Sequence, residues 1–339
     1  MMRWTLALTA AIAMPVAAHA KVTPAQCAAA IAYSDAHQGR AIFVLDSGKP
    51  VCERYTSSDV ATANELWSGT KSFVGIMAAA AVQDKLLTLD EHAAATITEW
   101  MSDPRKSPIT LRQLLSMASG QAGTIGRPPT YADAIAAPLS ADPGTKFQYG
   151  PTPMQIFGEI MRRKLAAKGM DPNPLAYLKR RVLNPIDMTI GSWRSGPDGN
   201  PLMPQGAVLT AREWAKVGEF VRAGGKAGGK QIVDPATLAA LFEPSALNPT
   251  YGLTWWLPHP SASPDPVTAS TDIGRRAAEL PKDLVVAAGA GDQRLYVIRS
   301  LGLTIVRQAK LDIVAAMRGE KSGWSDADFL ERLLGPGSR

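Results

Sequence analysis

Ser68 and Lys71 stand three residues apart at the head of the run Glu65-Leu-Trp-Ser-Gly-Thr-Lys-Ser-Phe-Val-Gly-Ile-Met-Ala-Ala-Ala-Ala-Val82. Residues at that spacing share one face of a helix, one turn above the other. A helix start carries partial positive charge and burial disfavours an ammonium, so both effects push Lys71 toward the neutral amine. A neutral amine beside a hydroxyl can take its proton and leave a serine nucleophile for acyl transfer. A chain of this length contains about one Ser-x-x-Lys by chance, and a solvated helix start with Ser68 as N-cap is the alternative. The apolar run behind the pair favours a helix buried on every side.

Other chemistries find little support. His37, His92 and His259 are scattered, and no G-x-S-x-G elbow exists for a Ser-His-Asp arrangement. Neither H-E-x-x-H nor a paired C-x-x-C is present, so no metal site and no cofactor is expected. Arg162-Arg-Lys164 and Lys179-Arg-Arg181 lie in amphipathic stretches without interleaved aromatics. They read as solvated faces rather than a nucleic-acid surface. Arg275-Arg276 lies in a Pro-rich loop, where a solvated role is favoured over contact with an anionic substrate.

The chain has 339 residues, 46% of them hydrophobic, and a formal charge of +6. That suits a full core in one large domain or two lobes. A basic start at Arg3, an apolar stretch Trp4–Val16 and the small-x-small site Ala18-His-Ala20 predict a secretory leader cleaved after Ala20. The stretch is too short to span a bilayer, so a periplasmic or secreted protein without stable membrane insertion is expected. Cleavage removes Arg3 and lowers the charge to +5. An exported chain with only Cys27 and Cys52 predicts one disulfide, two buried thiols being the alternative.

The elements around the pair follow from periodicity and turn signals. A helix is expected at Thr23–Ala36, then a hairpin of Ala41–Asp46 and Val51–Tyr55. From Leu86 to Phe242 the pattern is helical with long loops at Gln121–Gly150 and Gly191–Gly206. Strand pattern returns at Tyr251–Leu257, Asp283–Ala288, Arg294–Ile298 and Leu303–Arg307, with Pro258–Pro281 as a loop and Ser325–Leu334 as a final helix. The N-terminal strands must find their partners at the C-terminus. The fold expected is α+β, an antiparallel sheet flanked by helices with an all-helical lobe inserted. An α/β lobe would take residues 21–66 and 245–339, and the helical lobe residues 67–244.

Five segments in order resemble the serine β-lactamase and penicillin-recognising hydrolases: Trp67–Phe73, Ile109–Gly120, Pro143–Tyr149, Gly206–Trp214 and Tyr251–Trp256. The resemblance runs from about Ala41 to Arg307 and implies a β-lactamase/transpeptidase-like fold. It implies Ser68 as nucleophile, Lys71 as base and Tyr149, from the family's Tyr-x-Asn motif, as proton carrier. The oxyanion hole would be the N–H groups of Ser68 and Ala290, with Gly289 and Gly291 admitting substrate to that backbone. Trp193, Trp255 and Trp256 are candidates for an apolar acyl wall, against a plain core role. Two motifs depart from the family: Pro151 stands at the asparagine position, and Ala287-Ala288-Gly289 stands where Lys-Thr-Gly or His-x-Gly is expected. The departures resemble the class C-like branch that includes esterases and 6-aminohexanoate-oligomer hydrolases. An exported ester or amide hydrolase acting on a small-molecule or peptide-like substrate is implied. A silent binding protein on the same fold and a true β-lactamase or D-Ala-D-Ala peptidase remain alternatives. Oligomeric state is not legible.

Overall fold

The computed structural model describes residues 22–318, 320 and 322–336. The leader reading of residues 1–20 lies outside the described residues. Thr23 caps the first helix, α1 (Pro24–Ala36), accepting from Gln26 N while Gln26 returns a bond to the Thr23 N–H. Strands β1 (Gly39–Asp46) and β2 (Lys49–Tyr55) form the hairpin, and helix α2 (Lys71–Gln83) follows, buried from Lys71 to Ala81. The middle of the chain carries helices α3 (Thr152–Ala167) and α4 (Ala211–Arg222) among shorter turns. Strands β3 (Leu284–Gly289), β4 (Gln293–Ile298) and β5 (Leu303–Ala309) and helix α5 (Asp326–Leu334) complete the elements used below.

The five strands make one antiparallel sheet in the order β2-β1-β5-β4-β3. The first strand of the chain therefore pairs with the last, Val44 opposite Ile305, which joins the two ends across the inserted middle. Alternation assigns the faces. Thr304 and Leu295 meet α4 at Gly218, where an added Cβ would lie 2.4 and 2.7 Å from their side chains. Arg307 and Tyr296 point the other way, Arg307 to Ser34 of α1 and Tyr296 to Phe329 of α5. One core runs from this sheet through α2 into the helical region.

Several expectations change in detail. Tyr251–Leu257 is not a strand: Thr254 has φ +71°, which folds the segment so that Tyr251 pairs with Trp256. A positive φ on a β-branched residue is held only by its surroundings. Here the Thr254 N–H donates to the Leu115 carbonyl at 3.1 Å. The segment Pro174–Leu183 begins as helix and continues as a π turn from Lys179. Asn64–Glu65, just ahead of the inserted region, and Ser192–Trp193 within it pair as short strands on either side of Ala207–Leu209. Runs of two or three residues are too short to show a period of two. The Pro-rich loop holds a short helix, Pro266–Ser270, capped by Asp265.

Cys27 and Cys52 are joined by a disulfide that ties α1 to β2 across a sequence separation of 25. Closing a loop of that length stabilises by about 3 kcal/mol, chiefly by restricting the unfolded chain. The double substitution Cys27→Ser, Cys52→Ser is expected to lower the Tm by roughly 5–10 °C in scanning calorimetry. Excess dithiothreitol should reproduce that drop in the native chain and leave the variant unchanged.

Candidate active site

The Ser68 turn is a single 3-10 turn, Trp67–Thr70, that feeds directly into α2. Trp67 enters it at φ +49°, a conformation costly for a bulky residue and a mark of an over-determined site. Gly69 is tightly packed: an added Cβ would lie 3.0 Å from the ring of the buried Trp214 on α4, which would have to shift by a few tenths of an ångström. The Leu66 N–H donates to the Ala207 carbonyl at 2.9 Å, and Ala207 N donates to Thr70 Oγ1 at 3.2 Å. These bonds lock the turn to the small sheet.

Lys71 is 3% exposed, and its Nζ donates to Ser68 Oγ at 2.9 Å and to the Pro204 carbonyl at 3.2 Å. Burial lowers its pKa to about 7, with no charged partner to restore it. The amine lies 4.7 Å from the centroid of the Tyr149 ring. Burial raises the Tyr149 pKa to about 12; a hydrogen bond with Ser68 opposes the rise, Asp265 adds to it, and the Arg294 charge opposes it. The phenol therefore stays protonated at neutral pH, while the lysine is close to half neutral. The two groups have well separated proton affinities, the arrangement that assigns base and acid.

Tyr149 is held from both sides. Its N–H donates to Asp265 Oδ2 at 3.1 Å, and its ring packs on Trp256 at 5.6 Å and Tyr251 at 5.9 Å between centroids. Asp265 also accepts from Val267 and Thr268 N–H, so the capping residue of a Pro-rich loop anchors the tyrosine. Trp256 extends the sheet edge by one bridge, exchanging 2.9 Å bonds in both directions with Val286 of β3. Alternation then aims the polar groups of Ala288 and the N–H of Ala290 toward the same edge.

Gly289 ends β3 against the Ser68 turn: a Cβ there would fall 2.0 Å from the Leu66 carbonyl oxygen and 3.0 Å from Gly69 N. Ala290 is exposed in the turn that follows, and Gly291 has φ +69° with Leu311 backbone 2.8 Å from where its Cβ would be. Ser68, Lys71, Tyr149, Trp256, Gly289 and Ala290 thus converge. Trp193 stands one layer out, its ring edge-on to Phe73 at 5.7 Å and its indole N–H on the Leu202 carbonyl at 3.0 Å. It holds the loop that brings Pro204 to Lys71. Trp255 is fully buried against Phe242, in the core. Ala287 is buried and Ala288 half-buried on β3, with no cationic side chain at either position. Arg276 is committed to Glu279 and Asp328.

Three contributors escape sequence reasoning: the Pro204 carbonyl, Asp265 and Arg294. Ser-Pro-Asp-Pro carries a helix-cap signature, and Arg294 is a charge in an otherwise apolar strand. Those signals mark the residues without saying what they meet. Among the described residues no group of His, Cys, Asp and Glu could hold a metal ion, and no helix is long and apolar enough to cross a membrane.

A family model described as Beta-lactamase matches residues 25–308. Among solved structures, a candidate β-lactamase of Bacteroides dorei is 18% identical, with a TM-score of 0.72 over 92% of this chain and 98% of that one. A candidate 6-aminohexanoate-dimer hydrolase of Bacillus anthracis is 18% identical, with a TM-score of 0.62 over 84% and 78% of the two chains. EstCE1, a hydrolase with promiscuous acyltransferase activity, is 14% identical, with a TM-score of 0.65 over 91% and 97%. At these identities the likeness is one of fold. Comparison with curated proteins finds no match.

Proposed function

We propose, from the premise that this chain belongs to the β-lactamase family and has its α+β fold, that it is an exported serine hydrolase of small ester or amide substrates. The observation that carries this reading is the buried Lys71 amine, 2.9 Å from Ser68 Oγ with its pKa brought to about 7. In the acylation step Ser68 Oγ bonds to the substrate carbonyl carbon while its proton passes to Lys71. The carbonyl oxygen becomes an oxyanion that accepts from the N–H groups of Ser68 and Ala290. Ser68 sits at the opening of its turn, where an N–H has no acceptor by position. Tyr149, protonated and above Lys71, donates to the leaving oxygen or nitrogen as its bond to carbon breaks, and Lys71⁺ restores the tyrosine proton. Water then attacks the acyl-Ser68 ester, giving up a proton to the same base; that proton returns to Ser68 Oγ as its bond to the acyl carbon breaks, which frees the carboxylic acid and restores the starting state.

The alanines at 287 and 288 supply no cation for a substrate carboxylate, which supports an uncharged ester or amide over a β-lactam or peptide terminus. The rings of Tyr149 and Trp256 along the edge of β3, backed by the buried Tyr251, suit an apolar acyl group. The disulfide and the leader-like start of the sequence support export to an oxidising compartment, periplasmic or extracellular.

The test is active-site titration. Purified protein should release p-nitrophenol from p-nitrophenyl butyrate, and one equivalent of an alkyl fluorophosphonate should abolish that release. Peptide mass mapping should find the phosphonyl group on Ser68 alone. Turnover that survives complete labelling, or a label on another residue, would remove Ser68 as nucleophile. Neither turnover nor labelling would favour the silent binder.

A further inference from the structure

We propose that Arg294, pinned by Asp326, is a positioning residue that aims the Ala290 N–H at the oxyanion; this rests on the reading of Ser68 and Ala290 as the oxyanion donors. Arg294 lies on the face of the sheet that meets α5, opposite the face against which the Ser68 turn packs. Its Nη1 nonetheless reaches the carbonyls of Gly289 at 3.3 Å and Gln293 at 3.1 Å. Gly289 C=O and Ala290 N–H belong to one trans peptide, so they point in opposite directions. Holding the carbonyl on the β4 side turns the N–H the opposite way, to the open edge of β3 where Trp256 pairs with Val286, so Arg294 reinforces the direction that strand alternation gives it.

The rest of the turn is held the same way. Gln293 Nε2 donates to the Gly291 carbonyl at 3.2 Å and to the Ala309 carbonyl at 2.6 Å. Arg307 Nη1 donates to the Asp292 carbonyl at 2.8 Å. Carbonyls at 289, 291, 292 and 293 are therefore all drawn onto three buried side chains of β4 and β5, Gln293, Arg294 and Arg307. Arg294 itself is fixed by Asp326, with Nε to Oδ1 at 2.7 Å, and Asp326 also accepts from Tyr296 Oη at 2.5 Å and Trp324 Nε1 at 3.1 Å. Asp326 is 1% exposed and Arg294 6% exposed. An ion pair buried this deeply is costly where apolar residues would pack as well. Orientation of a peptide that must not rotate during turnover accounts for it, because preorganised donors need no rearrangement as charge develops.

The experiment is a double-mutant cycle on p-nitrophenyl butyrate hydrolysis with Ala290→Pro, which deletes the donor, and Arg294→Met. Ala290→Pro should lower kcat by about 10²-fold, the loss typical of one oxyanion donor. Arg294→Met should lower kcat by about 30-fold with KM unmoved, since the interaction exists only in the transition state. The double variant should be within about threefold of Ala290→Pro alone, because both changes act through one N–H. A kcat for Arg294→Met within threefold of native, or losses that multiply in the double variant, would overturn the role. Should Arg294→Met lack a cooperative melt, Asp326→Asn carries the test: it keeps the guanidinium, loosens it, and should cost kcat about 10-fold. Native kcat there would overturn it equally. Ser68→Ala separates the two ideas: turnover that survives it removes the reading of the whole site, whereas its silence beside an unimpaired Arg294→Met removes only the positioning role.

Discussion

Lys71→Met should lower kcat/KM by about 10³-fold or more and, at neutral pH, raise the melting temperature. On the proposed mechanism the rate loss follows from removing the base that activates Ser68. The stability gain follows from burial. The Lys71 pKa falls from 10.5 to about 7 on folding, and each unit is worth 1.36 kcal/mol, so holding this amine in the core costs roughly 4–5 kcal/mol. Methionine fills similar volume without that cost, and the lost bonds to Ser68 Oγ and Pro204 O offset about 1 kcal/mol each. A net gain of about 2–3 kcal/mol remains. The sign can be checked by pH. Because the folded pKa is depressed, the unfolded chain binds more protons between pH 7 and 10.5, and native stability rises with pH through that window. The Tm advantage of Lys71→Met should therefore be largest at or below pH 7, vanish at about pH 9 and reverse by pH 10, where the lost hydrogen bonds outweigh what remains of the charge penalty. Ser68→Ala should lose comparable activity while keeping the native pH slope of Tm. In the native protein, the proposed mechanism gives a kcat/KM that climbs with an inflection near pH 7 and stays level to pH 10, since Tyr149 at about 12 adds no descending limb. A Lys71→Met variant less stable than native at pH 7 would mean that the amine is solvated or paired, and the base would have to be sought elsewhere.

The parts of this site legible in sequence are those that are local. Ser68 and Lys71 are one turn apart, so helix spacing alone places amine beside hydroxyl. The all-round apolar character of Phe73–Ala81 foretells burial, and burial is what moves the lysine pKa. The closing of the sheet between Gly39–Asp46 and Leu303–Ala309 was legible by elimination, since no other strands were available to pair. What sequence withheld is contact between backbone and remote side chain. Nothing in Met203-Pro204-Gln205 says that a carbonyl there will accept from Lys71; that depends on Gln155 of α3 holding Met203 N at 3.0 Å and on Trp193 holding Leu202. Asp265 caps the short helix Pro266–Ser270 in a stretch that reads as loop, and its second oxygen serves Tyr149, 116 residues away. Tyr251–Trp256 has the composition of a strand, and only the turn forced at Thr254 makes it a platform under Tyr149 instead. Local geometry is thus readable, whereas the frame around it is written in long-range packing.

Gly289→Ala tests that frame with a single methyl group. The new Cβ would lie 2.0 Å from the Leu66 carbonyl oxygen and 3.0 Å from Gly69 N, both backbone atoms of the segment that carries Ser68. Carbon does not approach backbone oxygen closer than about 3 Å, so β3 and the Ser68 turn must separate by about 1 Å. Neither side yields easily: the turn is tied through Leu66 N–H to Ala207, and the strand end through its carbonyl to Arg294. The separation falls between the two proposed oxyanion donors, one on each side of the gap. A misplacement of that size in a preorganised site costs about 10²-fold or more. We expect kcat and kcat/KM to fall together by 10²–10³-fold with KM unchanged, the signature of an interaction made only in the transition state. Overpacking should cost about 1–3 kcal/mol of stability, visible as a lower Tm with a cooperative melt retained. Phosphonylation of Ser68 should slow by a similar factor, because the phosphoryl oxygen uses the same two donors. A native kcat in Gly289→Ala would show that the strand and the turn can part without consequence, and the oxyanion would then have to be stabilised by groups other than the N–H pair of Ser68 and Ala290.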